Sequence, residues 1–209
     1  MRSRPLLFGA LLSGHSYKAR LALLLLGIRH DYRAIDLSQP RAARDPDWAR
    51  WSRFGEVPVL VADGRAVVQS NAILLHLART YDALGWREDR DAATEWLFWE
   101  ANRIGLSLPN YRLSRLSDAP PASDVVEWLR ERMLTDLATL ESALADRAFL
   151  LGDAVSVADI ACSAYLLYRD VADLDLGNYP AIDGWLGRIA ALPGWRAPSA
   201  VMGPSTSCK

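Results

Sequence analysis

The sequence predicts an α/β N-terminal segment followed by an all-α second half. Three observations carry this. Asp63-Gly64 separates two short β-rich runs, Val59 to Ala62 and Ala66 to Val68, the pattern of a hairpin whose tight turn needs positive φ at both central residues. Strand and helix patterns alternate before it. Beyond about residue 91 no convincing strand pattern is left, only helical periodicity.

In chain order, Pro5 to Leu11 is an apolar run bounded by Ser13-Gly14 and reads as a buried strand. Tyr17 to Gly27 carries Leu21, Leu24, Leu25 and Ile28 at helical spacing, with Gly27 as its C′ residue. His30 to Leu37 alternates as a second strand, completing a βαβ unit. Ser38 to Phe54 is rich in Arg, with a short helix near Asp45 to Trp51. Pro58 opens the third strand, where a missing N–H is tolerated. An X–Pro bond is cis in only about 5–6% of folded cases, so the residues alone favour trans. A cis bond would turn the Val57 carbonyl and N–H out of the ladder, toward an extended peptide-like ligand. Ser70 reads as the cap of a helix from about Asn71 to Tyr81.

Asp82 to Asp91 reads as a linker. The second half then offers a long helix from Ala92 to about Leu106, bent or ended near Pro109, a Pro-rich loop over Asp118 to Ser123 and a helix over Asp124 to Leu144. Ser156-Val157-Ala158-Asp159 has the spacing of a capping box, with Val155 and Ile160 placed as a hydrophobic staple. It predicts a buried helix from Val157 to about Tyr168. Ile182 to Leu192 supplies a further helix, and no internal repeat is found.

The chain has 209 residues, 51% hydrophobic and 23% charged, and a formal net charge of −1. That balance gives no footprint for nucleic acid. The longest apolar run, Leu21 to Leu26, is far too short to cross a bilayer. Cys162 and Cys208 form no C-x-x-C, which argues against a disulfide framework and a cysteine zinc site. A reducing cytoplasm is the expected compartment.

Four stretches in order, Ser13-Gly14-His15-Ser16-Tyr17-Lys18-Ala19-Arg20, Gly55-Glu56-Val57-Pro58-Val59-Leu60, Gln69-Ser70-Asn71-Ala72-Ile73-Leu74 and Ser156-Val157-Ala158-Asp159-Ile160, resemble the glutathione S-transferase superfamily. The bacterial members with a Ser-Gly-Asn-x-Tyr-Lys-Val-Arg stretch look most similar. The resemblance implies a thioredoxin-like domain with a mixed four-stranded sheet over 1–81 and an α-helical bundle domain over 92–209. It also implies a cis bond before Pro58, glutathione as co-substrate in the cleft between the domains, no metal, and a homodimer.

By the same resemblance Ser13 activates the glutathione thiol, Val57 and Pro58 present the pairing backbone, and Gln69 and Ser70 take the γ-glutamyl end. Ser13 has a plainer use as a helix cap. His15 stands where relatives carry Asn or Cys and reads as a turn residue or a second donor; Ser16 is a further alternative at the thiol. No Gly-x-Ser-x-Gly elbow supports a Ser/His hydrolase, and His30 and His76 lie in a strand and a helix. Glu56 sits near the glycyl carboxylate and would repel it unless it is turned away or paired. Arg44, Arg50 or Arg53 would offset it and clamp that carboxylate. Trp99, Asn102, Arg103, Leu106 and Tyr111 are the expected second-substrate residues, for an apolar electrophile. Conjugation is the expected activity. The alternatives are isomerisation, dehalogenation or ether cleavage at the same site, or a non-catalytic binding role.

Overall fold

The structure, a computed structural model, describes residues 4–168, 174–203 and 206–207. It divides into two compact units, Met1–Ala83 with Leu192–Lys209, and Leu84–Ala191.

In the first unit, β1 (Leu6–Gly9) and β2 (Asp31–Ala34) pair in parallel and are joined by α1 (Gly14–Leu25). The connection between β2 and β3 (Val59–Ala62) contains α2 (Pro46–Trp51), and β3 turns directly into β4 (Arg65–Val68). β3 pairs antiparallel with both β1 and β4. Asp63 and Gly64 have φ of 48° and 72°, as the tight hairpin requires. α3 (Ser70–Tyr81) follows, and α1 and α3 pack together. Phe8, Ile35, Trp48 and Val59 form a buried cluster that joins β1 and β3 to α2.

α2 forms where the sequence supplies its start: Pro46 at the first position and Asp45 as cap, accepting from the N–H of Asp47 at 2.8 Å and of Trp48 at 3.1 Å. The Arg33 guanidinium bridges Asp45 and Asp47 at 3.0 and 2.9 Å.

The expected four-stranded sheet is present, and a two-residue β5 (Thr206–Ser207) adds to its β2 edge, giving the order β4-β3-β1-β2-β5. This corrects the expected boundary at 92–209, because the C-terminal segment belongs with the first unit. Tyr17 donates its hydroxyl to the Arg196 carbonyl at 2.8 Å, and the Arg20 guanidinium donates to the Val201 carbonyl. Gly194, at φ 86°, lies so close to Leu24 that a Cβ would stand 2.6 Å from the Leu24 carbonyl oxygen. Cys208 lies outside the described residues.

His30, fully buried just before β2, holds its Nδ1 2.8 Å from the Ile28 carbonyl, which makes that nitrogen the donor of a neutral ring. Burial chiefly holds its pKa below the ordinary 6.5, and the Arg20 and Arg4 charges add to this against the opposing Ile28 carbonyl and Asp31. The unfolded chain therefore binds a proton that the fold excludes, so stability falls as pH drops through the ordinary imidazole range. Urea midpoints from about pH 7 down to about pH 5 should fall more steeply for the native chain than for His30→Gln.

The second unit is helical: α4 (Arg90–Asn102), α5 (Ile104–Leu116), α6 (Ser123–Leu144), α7 (Val157–Ser163) and α8 (Pro180–Ala190). α9 (Pro198–Val201) lies in the C-terminal segment of the first unit. Two expectations are corrected. The helix expected from Ala92 to Leu106 breaks at Arg103 (φ −114°, ψ −104°), while Pro109 sits inside α5. Tertiary partners hold the break. Arg103 Nε and Ser107 Oγ donate to the two oxygens of fully buried Asp136 at 2.8 and 2.7 Å, and Arg132 donates to the Asn102 carbonyl at 2.7 Å. α7 also stops at Ser163, and a 3-10 turn over Leu166–Tyr168 replaces the rest of the expected helix.

The capping box at Ser156 is formed as expected, and Asp159 extends it. Its carboxylate accepts from the Ser156 N–H at 2.8 Å, the Ser156 hydroxyl at 2.6 Å, the Leu150 N–H at 2.8 Å and Trp185 Nε1 at 2.9 Å. No helix among the described residues is long and apolar enough to cross a membrane.

Candidate active site

Sheet register brings the predicted stretches together. Phe8 faces Val59 and Val59 faces Val68, so the chain leaving β1, the chain entering β3 and the chain leaving β4 meet at one end of the sheet. Ser13, Val57-Pro58 and Gln69-Ser70 occupy that end.

Ser13 is the N-cap of α1, with extended backbone (φ −93°, ψ 106°), and its Oγ accepts from the Ser16 N–H at 3.1 Å. The cap therefore uses a lone pair and leaves the O–H proton with no acceptor among the described residues. No acidic residue stands in the first turn of α1, so the positive end of the helix is not neutralised from within. Ser16, the alternative, is fully buried and its Oγ accepts from the Ala10 N–H at 3.2 Å. Gly9 keeps this start compact: a Cβ there would come within 2.9 Å of Ser16 Cβ and of the Tyr32 ring. His15 is half-buried in the first turn of α1.

The Val57–Pro58 bond is cis, as the resemblance implies. Val57 is half-buried, and its N–H and carbonyl make no hydrogen bond to the described residues. The preceding residue is anchored: the Glu56 carbonyl accepts from Trp48 Nε1 at 3.2 Å and from the Ser52 hydroxyl at 2.8 Å.

Ser70 is the first residue of α3 rather than its cap, a correction to the expected role. Gln69 takes the cap position at φ 72°, without a side-chain capping bond, because its Nε2 instead donates to the Glu56 carboxylate at 2.7 Å. α3 likewise has no acid in its first turn. Glu56 is exposed, and this Gln69 bond, not an arginine, is its side-chain partner among the described residues.

Arg44 donates to the carbonyls of Gln39 at 2.9 Å and Leu37 at 2.8 Å, so it braces its own loop. Arg50 and Arg53 lie over the rings of Trp51 and Phe54. Arg41, which the sequence reading did not single out, lies against Gly55, whose φ is 72° and whose missing Cβ makes room for the guanidinium. It has no hydrogen bond or ion pair to the described residues. Lys18 was also missed. Its place on a helix face gave no signal, yet it is fully buried and donates to Asn71 Oδ1 at 2.9 Å and to Ser70 Oγ at 3.3 Å.

The expected second-substrate residues differ in exposure. Trp99 is half-buried and edge-on to Trp96, Asn102 is exposed, Leu106 is half-buried and Tyr111 is buried. Arg103 is tied to Asp136. No cluster of three or more His, Cys, Asp or Glu that would hold a metal occurs among the described residues.

Comparison with known proteins matches residues 12–80 to the glutathione S-transferase N-terminal domain and residues 112–193 to its C-terminal domain. The chain belongs to the glutathione S-transferase family. Among solved structures, the glutathione S-transferase from Xanthobacter autotrophicus is 30% identical, with a TM-score of 0.78 and coverage of 92% of this chain and 96% of that one. That from Pseudomonas fluorescens is 29% identical, with a TM-score of 0.83 and coverage of 94% and 99%. The disulfide-bond oxidoreductase YfcG of Escherichia coli is 29% identical over 189 residues, 83% of this chain and 86% of the relative. Within this family the first unit is the thioredoxin-like domain.

Proposed function

We propose that this glutathione S-transferase family member binds glutathione at the sheet end described above and conjugates its thiolate to an apolar electrophile. The carrying observation is the Ser13 O–H at the positive end of α1, which no described residue accepts, at the same sheet end as a Val57 backbone unpaired among the described residues. A hydroxyl so placed donates to sulfur, favours the thiolate and raises the fraction of nucleophile. The Val57 N–H and carbonyl pair with the cysteinyl backbone of the tripeptide. Gln69, Ser70 and the α3 N-terminus take the γ-glutamyl carboxylate. Arg41, rather than Arg44, faces the glycyl carboxylate and offsets Glu56, since Arg44 is occupied by loop carbonyls.

In the reaction the thiolate forms a C–S bond to the electrophilic carbon, and the displaced electron pair leaves with the leaving group or enters the acceptor. Holding the thiolate oriented supplies much of the acceleration. Trp99, Leu106 and their neighbours on α4 and α5 remain the residues offered for the electrophile. The reading takes the protein as a cytoplasmic homodimer, as the family resemblance implies.

A second reading has one observation behind it. The Escherichia coli relative is by name an oxidoreductase of disulfide bonds. Here Cys162 is buried in the helical unit and no cysteine among the described residues accompanies Ser13, so thiol exchange that uses the described residues alone would run on glutathione sulfurs.

Ultraviolet titration of the bound glutathione thiol tests the common core of both. Its pKa should lie well below the ordinary thiol value of about 8.5. An unshifted pKa, or no binding at millimolar glutathione, would leave a non-catalytic role. Product analysis with model electrophiles and with mixed disulfides then separates conjugation from exchange.

A further inference from the structure

Two serines at this sheet end share one arrangement, and only one of them owes it to its own helix. Ser13 has its lone pair taken by a backbone N–H of α1. Ser70, only 9% exposed, has its lone pair taken by the Lys18 ammonium, which reaches across from α1 to α3. An ammonium has three donors and no acceptor, so the Ser70 oxygen must be the acceptor in that bond. The Ser70 proton is thereby pointed away from Lys18, and no described residue accepts it.

We infer that Lys18 is a positioning residue for the γ-glutamyl carboxylate: it fixes Ser70 as a donor toward the ligand and adds a buried positive charge behind the first turn of α3. The inference rests on the glutathione reading above. Three observations agree with it. Lys18 also donates to Asn71 Oδ1, so its ammonium touches the side chains of the first two residues of α3. The first turn of α3 holds no acid, and the Gln69 side chain makes no capping bond to it. Lys18 is fully buried, so solvent screens its charge little at that point. The helix whose N-terminus faces the thiol also polarises the site for the other end of the tripeptide, which links the two subsites through one rigid element.

The test compares glutathione with 4-aminobutyryl-cysteinyl-glycine, which lacks only the γ-glutamyl carboxylate, on the native chain and on Lys18→Met and Lys18→Gln. Native protein should prefer glutathione. Both variants should lose about tenfold in glutathione affinity, the scale of one charge at a partly buried helix terminus, and less than about twofold for the analogue. KM for glutathione should rise with kcat nearly unchanged. Lys18→Gln keeps a donor at similar reach for Asn71 and decides the matter if the Met variant does not fold. Equal losses for the two ligands, no loss, or a native chain that binds both peptides alike would overturn the role of Lys18. A native chain that binds neither peptide would instead defeat the glutathione reading itself.

Discussion

Ser13→Ala is expected to lower the conjugation rate by roughly 100-fold while changing glutathione affinity little, because one donor to a developing or resident anion is worth on that order. The bound thiol should titrate back toward the ordinary value of about 8.5. Ala also removes the α1 cap, which by itself costs about 1 kcal/mol of stability. Ser13→Asp separates the two jobs. A carboxylate can still accept from the Ser16 N–H, so the melting temperature should be kept, yet it has no proton to donate and repels a thiolate. Activity should therefore fall at least as far as in the Ala variant. If Ser13→Ala keeps its rate, thiol activation belongs to His15 or to a bound water, since Ser16 is buried and engaged with Ala10.

The largest stability effect is expected at Asp159→Ala. Four donors from Ser156, Leu150 and Trp185 converge on this fully buried carboxylate. Burial pushes its pKa up, and these donors oppose that shift. Removing the acceptor leaves buried donors unpaired and dissolves the capping box, at a cost of roughly 3–5 kcal/mol. Urea unfolding followed by tryptophan fluorescence should show the midpoint fall. Glutathione binding to whatever fraction stays folded should be unchanged. A loss under about 1 kcal/mol would mean that water or a rearranged loop replaces the carboxylate.

The site was legible where local chemistry and chain order agree. Ser13, Val57-Pro58 and Gln69-Ser70 each stand at a turn between regular elements, and the hairpin register alone brings two of them together. The cis bond was not legible from the residues, which favour trans; the resemblance supplied it. Arg41 and Arg44 show the limit more sharply. Both are arginines in one Arg-rich loop, and nothing in their spacing tells which one spends its guanidinium on loop carbonyls and which lies against Gly55.

By itself the sequence determined the α/β-then-α order, the Asp63-Gly64 hairpin and the capping box at Ser156, because turn geometry, periodicity and caps act within a few residues. Tertiary structure decided the break at Arg103, the return of the C-terminal segment to the first unit and the burial of Lys18. Each of these depends on a partner distant in sequence, Asp136 and Arg132 for the break, Tyr17 and Arg20 for the return, Ser70 and Asn71 for Lys18. A buried charge or an unwound turn costs free energy until such a partner arrives, and local pattern holds no record of where that partner will come from.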